Sequence, residues 1–346
     1  MKKTLRIGRL TIGAGAPVRV ESMLKTRLDS FDDCMAQLTA LKREGCELVR
    51  VAFPHAGLKG NLERLNQNSP VPLMADIHFD PALAEAAIEA GCPSIRINPG
   101  NMGRPERLER VISMAKERSV VIRIGANSGS INDAQLAKAG GDRGAALALA
   151  VGEQMEMLCS RGFSDIIVSA KSTNVQESLR ANVLLQRRWG DFPFHIGITE
   201  AGSGSDGMIK SSCGLSVLLS SGIGDTMRVS LSQDPVDEVK TAYSILRALG
   251  LRHRGGQLIS CPTCGRRQLE VAALIPRVQP LLSELPDGFT LAVMGCEVNG
   301  PREAAHAQLG VAGSPSGIVV FKEGKIVQRT DFDNVVSVLR SYFPQK

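Results

Sequence analysis

The sequence is poor in aromatic residues. They make up 4% of its 346 residues, with one Trp and two Tyr. Nucleic-acid bases stack on aromatic faces, so this shortage argues against a surface for single-stranded nucleic acid. No apolar run approaches the ~18 residues of a membrane span. The opening MKKTLRIGRLTIGAGAPVRV is charged, but Arg6 and Arg9 interrupt any apolar stretch, so it reads as a poor signal peptide. The expectation is a soluble cytoplasmic protein. There is no charged tail either. The net charge is +6, yet Lys and Arg are spread along the chain. That removes a basic arm for nucleic acid or membrane and leaves anionic small molecules as partners. No G-x-G-x-x-G follows the first strand-like run, which weakens an open doubly wound sheet. The chain has a single C-x-x-C, so a four-thiolate zinc ribbon lacks support.

Eight short β-branched runs recur over the first 250 residues: 18–23, 47–54, 72–79, 94–100, 120–129, 165–172, 194–202 and 226–232. Helix-like stretches lie between them, among them 32–45, 81–91, 104–119 and 234–250, with apolar residues at three- and four-residue spacing. Gly45, Gly91, Gly162, Gly190, Gly222 and Gly250 stand where helix C-caps are expected. Eight such units over this length predict an α/β fold, an N-terminal (β/α)8 TIM barrel spanning 1–250.

A barrel presents function at the carboxyl ends of its strands. Those ends are polar here: Arg50, Asp76 and His78, Arg96 and Asn98 with Asn101 beyond, Arg123 and Asn127, Ser169 and Lys171, Glu200, then Arg228 and Ser230. A charge facing the helix layer would be buried unpaired, at a cost of several kcal/mol. Facing the mouth, Arg50, Arg96, Arg123, Lys171 and Arg228 form five converging cations, with Asp76 and Glu200 the evident counter-charges. Forked guanidinium groups match phosphate oxygens, and a diphosphate suits the set best. The alternative is a group of structural ion pairs with loop carboxylates. Asp76 and His78 share one strand face, which favours proton handling or substrate orientation. Glu200 precedes a flexible Ala-Gly-Ser-Gly loop and reads as an acid/base or a helix-cap anion.

The last 96 residues, 251–346, change pattern and predict a smaller α+β domain. QLIS reads as a strand, followed by CPTCGR and a helix-like stretch to about Leu285. FTLAVMGC (289–296) reads as a strand and 301–310 as a short helix with Pro301 first and Gly310 after its end. A hairpin around Glu323-Gly324 and a final helix (331–343) complete it. Cys261 and Cys264 put two thiols on one turn, and Cys296 ends the next strand. Three thiolates can hold three irons of a cubane cluster, leaving one iron for a harder ligand such as Glu303. A Cys3His zinc site using His306 is the competing reading. With Gly300 as N-cap, Glu303 also falls at the third helical position, where a glutamate caps. Residue chemistry leaves ligand and cap open.

The segments ADIHF (75–79), RINPGN (96–101), IRIGANSGS (122–130), GITEAG (197–202), SCPTCGR (260–266) and MGCEVNGPREA (294–304) together resemble the bacterial 4-hydroxy-3-methylbut-2-enyl diphosphate synthase family of the non-mevalonate isoprenoid pathway. The likeness covers almost the whole chain. It implies a barrel plus a [4Fe–4S] cluster domain, and reductive ring-opening of 2-C-methyl-D-erythritol 2,4-cyclodiphosphate. It implies flavodoxin or ferredoxin as electron donor, and a homodimer in which one subunit's cluster domain closes over the other's barrel mouth. Carried over by motif, Cys261, Cys264 and Cys296 bind three irons and Glu303 the fourth. Arg50, Arg96, Arg123, Lys171 and Arg228 hold the substrate, with Asp76, His78, Asn98 and Asn127 nearby, and Glu200 is the candidate proton donor. Two departures stand out: Arg302 replaces a common Gly, and SMLKTR (22–27) differs from the commoner SMTNT type. The rival readings are a zinc-stabilised barrel that binds an anion without redox chemistry, and a non-redox barrel enzyme for a phosphorylated or pterin-like substrate.

Overall fold

The computed structural model describes residues 2–77, 80–98 and 105–344. Its contacts divide the chain into two compact units, Met1–Arg252 and His253–Lys346.

The first unit opens with an antiparallel hairpin, β1 (Thr4–Ile7) and β2 (Leu10–Gly13), which the sequence pattern does not predict. Leu5, Ile7, Leu10 and Ile12 pack on Leu48, Met74, Val121 and Ile167. The latter four lie at the amino ends of barrel strands, so the hairpin closes that end and leaves function to the other. The barrel strands are β3 (Arg19–Met23), β4 (Leu48–Ala52), β5 (Leu73–Asp76), β6 (Ser94–Ile97), β7 (Val121–Asn127), β8 (Ile166–Lys171), β9 (His195–Gly197) and β10 (Thr226–Arg228). They pair in parallel in the order β8-β7-β6-β5-β4-β3-β10-β9. A Val168–Phe194 bridge brings β8 alongside β9 and completes the ring. This is the expected (β/α)8 barrel, with strands shorter than the runs suggest.

The helices are α1 (Phe31–Arg43), α2 (Lys59–Asn68), α3 (Pro81–Glu89), α4 (Pro105–Glu117), α5 (Asp133–Lys138), α6 (Arg143–Cys159), α7 (Val175–Trp189), α8 (Gly204–Ser220) and α9 (Pro235–Ala248). Side-chain caps start several of them: Asp80, Asp142, Asn174 and Asp234 accept from backbone N–H groups, and Asn132 with Gln135 forms a capping box. Five of the six predicted C-cap glycines have positive φ; Gly190 instead caps α7 in right-handed conformation, at φ −62°. Among the described residues no helix is long and apolar enough to cross a membrane.

The second unit holds a five-stranded sheet in sequence order: β11 (Gln257–Ser260), β12 (Thr290–Met294), β13 (Leu309–Ser314), β14 (Gly317–Lys322) and β15 (Lys325–Thr330). The first three strands are parallel and the last three antiparallel. α10 (Val271–Val278) and α11 (Val335–Ser341) pack against it. Two expectations need correction. The helix expected to reach Leu285 ends at Val278, with Pro276 inside it and a 3-10 segment, Gln279–Ser283, beyond. Residues 301–310 are not a helix: a single π-helical turn, Asn299–Glu303, is followed by β13. Gly310 therefore lies inside a strand, where a Cβ would stand 2.3 Å from the Phe321 ring.

Candidate active site

The barrel lumen is layered by the strand period of two. Above the apolar floor lie Glu21 on β3, Arg123 on β7, His195 on β9 and Thr226 on β10, each at most 1% exposed. Arg123 Nη1 donates to Glu21 Oε2 at 2.5 Å. His195 Nδ1 lies 2.8 Å from Thr226 Oγ1 and 3.5 Å from Glu21 Oε2. Glu21 Oε1, Arg123 Nη2 and His195 Nε2 are buried with no partner among the described residues.

The next layer is the mouth. Strand register sets Asp76 beside Arg96, Arg96 beside Arg123, and Asn127 beside Lys171. Asp76 Oδ1 accepts from Arg96 Nη1 at 3.1 Å, and Oδ2 lies 3.6 Å from Arg50 Nε. Arg50 also donates to Met23 Sδ at 2.9 Å. Arg228 Nη2 lies 3.3 Å from Glu238 Oε1. Gly197 makes room for the Lys171 stem, since a Cβ there would stand 3.2 Å from Lys171 Cδ. Asn127 Oδ1 is buried without a partner among the described residues.

The counter-charges differ from the expected pair. Asp76 takes part, but Glu21 and the α9 residue Glu238 do so as well, both 1% exposed. Glu238 also accepts from Ser22 Oγ at 3.1 Å and from the Leu231 N–H at 3.1 Å. Lys25, in the divergent 22–27 loop, reaches it at 3.5 Å. Glu200 is exposed, three residues past the end of β9, in left-handed conformation at φ +50°. That conformation is uncommon for a residue with a Cβ, and such residues cluster at functional sites. Asn98 is half-buried one residue past β6. His78 and Asn101 lie outside the described residues.

The cations act on one another. Burial, only partly offset by Asp76, pulls the Arg50 guanidinium down to about 10, with Arg123 and Arg228 adding to the fall. Burial and then the charges of Arg50, Arg123, Arg96 and Arg228 push Lys171 well below the usual lysine range. Burial and the same field, Arg123 first, hold His195 neutral.

In the second unit the thiols lie just past the carboxyl ends of the adjacent parallel strands β11 and β12. The Cys261 N–H donates to the Val293 carbonyl at 3.3 Å, and the Gly295 N–H donates to Cys261 Sγ at 3.0 Å. Thr263, inside the C-P-T-C turn, has φ +63°. Cys261, Cys264 and Cys296 all line one cavity of about 170 Å³, with Thr263, Arg266, Arg267 and Gly295. Gly300 lets the following turn pack closely, because a Cβ there would lie 2.5 Å from Ala312 Cβ. Glu303 is the last residue of the π-turn and exposed, so it does not occupy the third position of a longer helix. No disulfide joins any of the eight cysteines. Among the described residues no three His, Cys, Asp or Glu side chains are grouped to hold a single metal ion. The three thiols that line this cavity are soft donors of the kind an iron–sulfur cluster takes.

A family model described as the GcpE TIM-barrel domain matches residues 2–243, and one described as the GcpE protein C-terminal domain matches residues 257–344. The chain belongs to the GcpE family. Among GcpE relatives, the 4-hydroxy-3-methylbut-2-en-1-yl diphosphate synthase (flavodoxin) of Maridesulfovibrio salexigens is 46% identical over 334 residues, covering 96% of this chain and 93% of the relative. The protein of the same name from Natranaerobius thermophilus is 45% identical, covering 97% and 94%. Of solved structures, the Yersinia pestis dihydropteroate synthase superposes with a TM-score of 0.51 at 12% identity, covering 72% of this chain and 100% of that one. At that identity it shares the barrel fold alone.

Glu21 and His195 on the barrel strands, and Glu238 on α9 with Lys25 beside it, are the charged or titratable residues that sequence reasoning misses. Glu21 carries a usable signal, because it is an acid inside the first β-branched run, 18–23, where a charge facing the helix layer would be buried unpaired.

Proposed function

We propose that this GcpE-family chain converts 2-C-methyl-D-erythritol 2,4-cyclodiphosphate to 4-hydroxy-3-methylbut-2-enyl diphosphate, the penultimate step of the non-mevalonate isoprenoid route. The observation that carries the reading is the buried cation set at the barrel mouth. Its four guanidinium groups alone outnumber the three buried carboxylates, Asp76, Glu21 and Glu238. A multiply charged anion balances that excess. The reaction takes up two electrons and two protons. One C–O bond to phosphate breaks, a hydroxyl leaves as water, and the diphosphate stays on the product through its other ester.

In this reading Arg50, Arg96, Arg123, Lys171 and Arg228 bind the cyclic diphosphate, orient it, and stabilise charge on the departing phosphate oxygen. Asp76 holds Arg50 and Arg96 in place, Asn98 and Asn127 offer amides, and His78 completes the expected set. Glu200 is the proton donor. Cys261, Cys264 and Cys296 would hold three irons of a [4Fe–4S] cluster and Glu303 the fourth. When bound, that cluster supplies electrons one at a time. Flavodoxin delivers them, as the relatives' names support. We read the working form as a homodimer, and the boundary between barrel and cluster domain as residue 250/251.

Protein purified without oxygen should be brown, with about four irons per chain. A colourless zinc protein would overturn the redox reading. Glu303→Ala should change the cluster's spectrum and abolish turnover. If it costs only stability, by ~1 kcal/mol, Glu303 serves the backbone instead.

A further inference from the structure

Lys171 ends β8 and is 8% exposed. Among the described residues no ion pair or hydrogen bond reaches its Nζ. The buried carboxylates of this end of the barrel are engaged elsewhere: Asp76 with Arg50 and Arg96, Glu21 with Arg123, and Glu238 with Arg228 and Lys25. After burial itself, the strongest influences on Lys171 are the charges of Arg50 from β4, Arg123 from β7, Arg96 from β6 and Arg228 from β10. On β9, Gly197 sits beside its stem and His195 is neutral. Asn127, its neighbour on β7, is an uncharged amide. An ammonium held there would face four guanidinium groups in a low dielectric without a carboxylate of its own. The neutral amine is favoured.

An entering dianion reverses that balance. We propose that Lys171 is neutral in the free protein and takes up one proton when the cyclic diphosphate binds. The identity of the ligand rests on the function proposed above. In that ring each phosphorus carries an ester link and a bridging oxygen, leaving one strongly acidic group apiece. The ligand is therefore a fixed dianion at neutral pH, and any proton taken up on binding goes to the protein. Binding raises the lysine's pKa. Below the free-protein value both states are protonated and affinity is flat. Above it, affinity falls about tenfold per pH unit until the bound-state value is reached. Without ligand the mouth carries one fewer repelling charge. With ligand it gains a counter-ion for the phosphate that becomes more negative as the ring opens.

The test is calorimetric titration of the oxidised holoenzyme with the cyclic diphosphate, without reductant, in mildly alkaline buffers of different ionisation heat. Wild type should take up about one proton per site. Lys171→Arg, with a fixed charge, and Lys171→Met, with none, should take up no proton. His195→Asn should still do so. Wild-type binding without proton uptake overturns the proposal. So does uptake that persists in Lys171→Arg and Lys171→Met, or that vanishes in His195→Asn alone. A wild-type protein that does not bind the cyclic diphosphate at all would instead overturn the substrate assignment.

Discussion

Glu21→Gln keeps the shape of a fully buried side chain and removes its charge. The side chains of Glu21 and Arg123 are 0% and 1% exposed, and their charged atoms lie 2.5 Å apart. After the substitution Arg123 remains charged at the end of the barrel that also holds the Arg50, Arg96 and Arg228 guanidinium groups. Breaking a buried pair from one side costs about 3–5 kcal/mol, because the surviving charge has no compensation. That is a large share of the ~5–15 kcal/mol that separates a folded domain from its unfolded chain. For a unit of this size each kcal/mol moves Tm by about 2–4 °C, so the barrel transition should fall by about 6–20 °C. Scanning calorimetry reads it directly. The control is Glu21→Gln with Arg123→Met, which removes both charges. The double variant should recover about 2 kcal/mol or more relative to the sum of the single losses. A single-variant loss below about 1 kcal/mol, or strict additivity in the cycle, would refute the reasoning. Either result would mean that Arg123 is held by something other than Glu21.

The cysteines give a second expectation. Burial pushes the Cys46 and Cys92 thiols up to about 12, and raises that of Cys34, so they hold almost no thiolate near neutrality. Iodoacetamide on native, metal-free protein should label exposed Cys213 and Cys264 first and spare those three until denaturant is added. Early labelling of Cys46 or Cys92, read by peptide mass spectrometry, would contradict the packing. Third, Gly310→Ala places a methyl against Phe321 and within 2.8 Å of Ala292 Cβ. The second unit should lose about 1–3 kcal/mol from overpacking. An unchanged denaturation midpoint for that unit would show that Phe321 can move aside.

The barrel is legible because its strands are continuous β-branched runs and its function sits at strand ends, where polar residues interrupt them. What hides is set by distant neighbours. Ser22 meets Glu238 across 216 positions of sequence. Glu238 itself, in the first turn of α9, has the look of an acid that complements the helix dipole. Nothing local says that it is buried beneath an arginine. β13, LGVAGS, is rich in small residues and reads as a helix end. Its strand conformation comes from pairing with β12 and β14, where Ala292 and Phe321 leave no room for a side chain at Gly310. The π-turn is hidden for a similar reason: its close approach to β13 decides the conformation at Gly300. In the thiol cavity, by contrast, the residue types and spacings carry most of the information. Cys261, Cys264 and Cys296 can be picked out before any fold is known.

β11 and β12 run side by side, with Ser260 opposite Val293. The C-P-T-C turn and Cys296 therefore leave the same end of adjacent strands. Their separation is governed by the inter-strand distance of about 4.8 Å and not by how many residues connect them. The crossover through α10 can lengthen or shorten without displacing a thiol. Two residues part Cys261 from Cys264, and a single π-turn follows Cys296, so neither interval has such slack. Insertions after Val278 should be tolerated where one added residue between Pro262 and Thr263, or between Val298 and Gly300, would not be. The second unit thus divides its sequence into intervals fixed by chemistry and an interval left open to drift.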